Sequence, residues 1–136
     1  MRKLMWLMVL LAVSVSVAAC GRIETKIEYI SYLRNTDDTK GPYSVQVVIN
    51  SDFQPLKAVL VYTTDDWKTT QRASMTRNDD SMFKGYIPGQ QAGTTIRYYV
   101  EVEDSDGRVI TDPQTASSTV TTNESTGYRF QIQSSP

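Results

Sequence analysis

Hydrophobic and polar positions divide this chain into two regimes. From Leu4 to Val17 almost every position is apolar, with Arg2 and Lys3 ahead of the run and Ala18, Ala19 and Cys20 after it. Beyond Cys20 the apolar residues alternate with polar ones in short stretches, and no segment sustains a helical spacing over about eleven residues. The alternation predicts strands at Ile23–Leu33, Tyr43–Asn50, Leu56–Thr64, Gln71–Thr76, Met82–Ile87, Thr95–Glu103, Arg108–Thr111 and Tyr128–Gln133. Each is rich in β-branched or aromatic side chains, which pack well on a pleated surface. Between them lie Thr39-Lys40-Gly41-Pro42, Asn78-Asp79-Asp80, Pro88-Gly89 and Ser105-Asp106-Gly107, whose residue types supply turn conformations. About seven or eight strands over roughly a hundred residues suit an all-β, two-sheet sandwich, with a closed barrel as the alternative.

Period-two alternation also assigns faces. Ile96, Tyr98, Val100 and Val102 fall on one side of their strand and Arg97, Tyr99, Glu101 and Glu103 on the other, so the first set is expected in the core. By the same rule Val45, Val47 and Ile49 point inward, as do Phe130 and Ile132. Leu56–Thr64 gives no such answer, because Ala58, Leu60 and Tyr62 compete with Val59 and Val61 for the inside.

The leading run spans about fourteen residues, short of the roughly 20 that a membrane-crossing helix needs, and no second apolar stretch follows. A charged start, an apolar middle and a small-residue exit are the parts of an export signal. Cleavage before Cys20 would remove two of the 14 basic side chains and none of the 15 acidic ones, leaving a formal charge of −3. The remaining basic residues are dispersed among acids, which disfavours nucleic acid as a partner. The chain has no histidine, which removes Ser-His-Asp and Cys-His catalysis and nearly every His-based metal site. Cys20 is its only cysteine, so the fold has no disulfide to rely on. The mature length fits one domain with one core.

Val17-Ala18-Ala19-Cys20 resembles the lipobox of bacterial lipoproteins. That resemblance implies a diacylglyceryl group on the Cys20 thiol, cleavage of residues 1–19 as a signal helix, and an acyl chain on the new amino terminus. It places the mature chain outside the cytoplasm, held to the membrane of a bacterial cell envelope by lipid. Gly21, where an inner-membrane retention signal would have Asp, is similar to the residue of outer-membrane lipoproteins in cells that have that membrane.

The stretch from Gly41 to Ile132 resembles the immunoglobulin-like or fibronectin type III-like modules of secreted bacterial hydrolases and proteases. Gly41-Pro42-Tyr43-Ser44-Val45, Val59 to Tyr62, Met82 to Pro88, Ala92 to Val102, Asp104 to Gly107 and Tyr128 to Ile132 carry the likeness. It implies an immunoglobulin-like sandwich over residues 41–133, with residues 20–40 as a lipid-anchored tether and first strand. It also favours Val59 and Val61 for the core. Leu60 and Tyr62 would then join Tyr99 in an exposed apolar and aromatic patch, the leading candidate surface for an envelope protein partner.

Trp67 offers a second candidate surface. Tyr62-x-x-Asp65-Asp66-Trp67-Lys68 resembles a segment of starch- and glycogen-binding sandwich domains, which stack sugar rings on exposed aromatics. Their second Trp and their Asp-Asn-Asn segment have no counterpart here, and the plainer expectation is that Trp67 caps the sandwich edge. Asp104-Ser105-Asp106-Gly107 has the composition of a calcium loop but not the spacing, since Val102 and Pro113 fall where an EF-hand needs ligands; a turn is expected instead. Asp37-Asp38, Asp65-Asp66 and Asp79-Asp80 are adjacent in loops, whereas paired catalytic carboxylates face one another across a cleft about 5 to 9 Å wide. The sequence therefore predicts a non-catalytic binding or scaffolding module, with no metal and no cofactor beyond the lipid on Cys20. Its expected partners are the membrane, an envelope protein and, alternatively, a glycan.

Overall fold

A computed structural model describes residues 21–114 and 127–136. The expectations for the leading run, for Cys20 and for the stretch from Thr115 to Thr126 lie outside the described residues. Among the described residues nine strands form: β1 (Lys26–Ile30), β2 (Tyr43–Asn50), β3 (Lys57–Thr63), β4 (Gln71–Ser74), β5 (Thr76–Arg77), β6 (Met82–Ile87), β7 (Thr95–Glu103), β8 (Val109–Asp112) and β9 (Tyr128–Gln131). One sheet has the order β1-β2-β6-β5; the other has β4-β3-β7, with β8 and β9 following one another along the free side of β7. Every ladder between named strands is antiparallel. This is the immunoglobulin-type arrangement, in which strands A-B-E-D pack against C-F-G.

Alternating side chains of the two inner faces make the core. Val45, Val47 and Ile49 from β2 meet Ile96, Tyr98, Val100 and Val102 from β7, and Phe130 and Ile132 close the distal part. All nine sit where period-two reading of the sequence puts them.

β3 is the exception to the expected pattern. Ala58, Leu60 and Tyr62 face the core, and Leu60 is wholly buried, so the assignment of Leu60 and Tyr62 to an exposed patch is corrected. Register explains the outcome. Leu60 stands opposite Val100 and Tyr62 opposite Tyr98, both inward-facing residues of β7, and directly paired residues share a face. Val59, opposite Glu101, therefore turns outward. Val61 also lies on the outer side, opposite Tyr99, yet is fully buried there.

The single strand expected over Gln71–Thr76 is two. β4 pairs with β3 and β5 pairs with β6, so the chain leaves one sheet and joins the other between Ser74 and Thr76. Met75 sits at the switch, buried, with its N–H donated to the Ala58 carbonyl at 2.9 Å. Gly85 on β6 permits the close approach beneath it: a Cβ there would stand 3.0 Å from the Met75 side chain.

β1 is shorter than the run expected over Ile23–Leu33, but the chain on either side of it is fixed. After β1, the Tyr98 hydroxyl donates to the Ser31 carbonyl at 3.1 Å and accepts the Leu33 N–H at 3.0 Å. Thr36 then bridges to Ile132. Before β1, the Ile23 N–H donates to Asp52 Oδ2 at 2.7 Å, and the Asp52 N–H returns to the Ile23 carbonyl at 3.0 Å.

Candidate functional site

The outward residues of β3, β4 and β7 make one continuous surface. In register, Val61 lies between Arg72 of β4 and Tyr99 of β7, and Val59 lies between Ser74 and Glu101. Two ion pairs flank the centre: Arg72 Nη2 is 2.6 Å from Glu101 Oε1, and Arg97 Nε is 3.0 Å from Asp66 Oδ1. Between them the Tyr99 ring meets Trp67, the centroids 5.6 Å apart and the planes tilted by 43°.

Trp67 reaches Tyr99 because the loop after β3 is folded back by its own hydrogen bonds. Asp66 and Trp67 both take left-handed backbone conformations, with φ of 57° and 65°. For residues with a side chain this costs on the order of 1 kcal/mol each, so the surrounding contacts must hold the loop. They centre on Thr63, which is almost fully buried, and on Asp65. The Thr63 hydroxyl accepts the Trp67 N–H at 3.0 Å and lies 2.7 Å from the Thr69 carbonyl. Asp65 Oδ1 accepts the Thr69 N–H at 2.8 Å while Oδ2 accepts the Thr69 hydroxyl at 2.7 Å. These bonds favour the charged carboxylate, and Thr69 chiefly, then Thr63, holds the Asp65 pKa down at about 2. Burial raises the pKa of the Tyr99 phenol, an effect that the neighbouring Glu101 charge reinforces and Arg72 opposes. Tyr99 is therefore neutral at physiological pH and offers a hydroxyl rather than a charge.

Of the four residues the sequence nominates for a binding surface, Trp67 and Tyr99 come together on the outer face, while Leu60 and Tyr62 lie in the core behind it. Burial raises the Tyr62 pKa, in keeping with its place inside. Arg72, Arg97, Asp66 and Glu101 belong to the same surface without being nominated. Only the alternation within Thr95–Glu103 carried a signal for them, by putting Arg97 and Glu101 on the side of Tyr99.

The acidic segments are turn builders. Asp104 Oδ1 accepts the N–H groups of Asp106 and Arg108, each at 3.0 Å, and Oδ2 accepts the Thr25 hydroxyl at 2.7 Å. The Thr25 bond first, then the backbone donors, lower its pKa. Gly107, at φ 78°, completes the turn. Asp38 Oδ1 likewise accepts from Lys40 and Gly41, at 2.9 and 3.2 Å. Among the described residues no group of three or more Asp, Glu, Cys or His side chains is placed to hold a metal ion. An open groove of about 840 Å³ runs beside β8, lined by residues that include Thr25, Ile27, Glu101 and Ile110.

No protein-family model matches this chain, and no curated protein matches it either. The residues themselves thus carry the functional argument.

Proposed function

We propose that this protein is an extracytoplasmic lipoprotein of the bacterial cell envelope, held by acyl chains on Cys20, whose sandwich binds an envelope protein through the Trp67–Tyr99 face. The observation that carries the reading is the aromatic pair itself. Two large rings stand together on an outer sheet surface among charged groups, Tyr99 on β7 and Trp67 on a loop whose strained backbone is held by hydrogen bonds to Thr63 and Asp65. Trp, Tyr and Arg are enriched at protein interfaces and among the few residues that carry most of the binding energy there. Anchoring rests on the Val17-Ala18-Ala19-Cys20 motif, and several acyl chains give stable attachment at roughly 0.8 kcal/mol per buried methylene.

Crosslinking in native membranes followed by mass spectrometry tests the binding half. Wild type should capture one envelope partner, and Trp67→Ala with Tyr99→Ser should lose it at an unchanged melting temperature; Tyr99→Ser alone serves if the double variant melts early. Capture of the same partner by a folded variant refutes the assignment. For the anchor, Cys20→Ser should abolish lipid labelling and release the protein from membranes.

The partly buried Trp67 beside Asp66 and Arg97 also favours a second reading, glycan binding, since a sugar needs a ring face and polar neighbours together. Soluble glucans titrated against Trp67 emission separate the two: a saturable change supports the sugar, and a flat response excludes it.

A further inference from the structure

The strand registers give the molecule two poles. β3 runs from Lys57, opposite Glu103, to Thr63, opposite Arg97, and β1 starts at Lys26, opposite Asn50. The start of β1 therefore lies at the same end as the β2–β3 loop and the Asp104–Arg108 turn; Ser105 N–H donates to the Phe53 carbonyl at 3.2 Å and ties that loop and turn together. The Trp67 loop, at the finish of β3, lies at the other end. Seven to nine residues of strand at about 3.3 Å each separate the poles by about 25 Å.

The pole at the start of β1 is close to residue 20. Ile23 is fixed by two hydrogen bonds to Asp52, one to its carboxylate and one from its N–H, and only Arg22 and Gly21 stand between Ile23 and Cys20. Three residues of fully extended chain reach about 10 Å. A lipid on Cys20 thus leaves this end of the sandwich no room to stand away from the bilayer.

The surface there is suited to that position. Ile23 is 49% exposed. Two guanidinium groups approach the Phe53 ring, Arg22 at 4.3 Å and Arg108 at 5.8 Å from its centroid. Charges of both signs meet at this pole: Arg108 is 3.5 Å from Glu24 and Lys57 is 4.0 Å from Glu103, Arg22 donates to the Asp52 carbonyl, and Asp52, Asp79, Asp80 and Asp106 add carboxylates. A surface that carries both signs of charge beside exposed apolar groups suits zwitterionic phospholipid headgroups, which present phosphate and ammonium in one layer.

We propose that the pole built from Arg22, Ile23, Phe53 and Arg108 rests on the headgroups of zwitterionic phospholipid, so that the sandwich stands end-on with the Trp67 loop facing away from the membrane. This stance rests on the lipid-anchor reading above. A thiol-reactive fluorophore tests it on the full, cell-processed chain, placed at Gln54→Cys or Ser105→Cys on the near pole and at Lys68→Cys on the far one. The protein is reconstituted in phosphatidylcholine vesicles with and without headgroup-nitroxide lipid. Labels at Gln54 and Ser105 should be quenched severalfold more than the label at Lys68. Equal quenching at both poles, stronger quenching at Lys68, or none at any site overturns the end-on stance while leaving the anchor intact. Mass spectrometry of the same sample reports the anchor separately, and a Cys20 without lipid removes both claims.

Discussion

The Trp67 loop depends on one carboxylate. Because the folded pKa of Asp65 is depressed to about 2 from an ordinary value near 3.8, its contribution is fully present above pH 4 or so and is lost as pH falls through 2. Between those values Trp67 emission should change before the far-ultraviolet signal of the sheets does. Asp65→Asn should produce the same emission change at neutral pH. Coincident transitions in both signals would show that the loop is not a separate unit. A second prediction concerns Ser44, whose buried hydroxyl oxygen has no hydrogen-bond partner. Ser44→Ala removes an unsatisfied polar atom and should leave stability unchanged or raise it by about 1 kcal/mol, as read by urea denaturation. Tyr98 gives the opposite case. Its hydroxyl serves two backbone groups in the core, and burial pushes its pKa up to about 12, so it stays neutral in any ordinary buffer. Tyr98→Phe should cost about 1–3 kcal/mol by stranding the Ser31 carbonyl and the Leu33 N–H.

Among elements, β2, β6 and β7 have the bounds that the sequence pattern gave them; β2 and β7 each have one clean apolar face to bury, and β6 is bracketed by the turn residues Asn78-Asp79-Asp80 and Pro88-Gly89. β3 did not yield its face, and the reason is physical. Five consecutive residues, Ala58 to Tyr62, are apolar or aromatic, so neither parity is penalised locally and the choice falls to pairing with β7, forty residues away. A family likeness chose the wrong parity at that point. The candidate site suffered accordingly: Tyr99 and Trp67 were legible, one by alternation and one as a lone aromatic in a loop, while their partners depended on register. Leu60→Ala should now cost about 2–5 kcal/mol by opening a core cavity, and Val59→Ala much less. Equal losses in chemical denaturation would contradict the register. The switch at Met75 was likewise invisible, since nothing in Gln71–Thr76 distinguishes a strand that stays in its sheet from one that changes partners. Gly89 shows how tightly two far-pole loops pack: a Cβ there would overlap the Lys40 carbonyl, so Gly89→Ala should destabilise the fold although its backbone is unstrained.

At the scale of the whole molecule, residues 21–40 are part of the sandwich. They supply β1, the core residue Ile30 and both backbone partners of Tyr98. A chain cut to residues 41–133 should unfold at lower urea than one of residues 21–133, with exposed apolar surface that binds a hydrophobic dye. Matching midpoints would make the first strand an appendage.

The bonds joining Ile23 to Asp52 and β1 to β2 also decide how the molecule responds to force. A pull applied between residue 20 and the Trp67 loop runs along the strand axis, and the bonds of an antiparallel ladder lie across it. They are loaded in shear, all at once, instead of being peeled open one by one. The Tyr98 clasp and the Thr36 bridge lie further along the same line and share the load. A domain strung in this direction yields only when the whole ladder fails, so a load along its strands meets the full strength of the β1–β2 pairing at once.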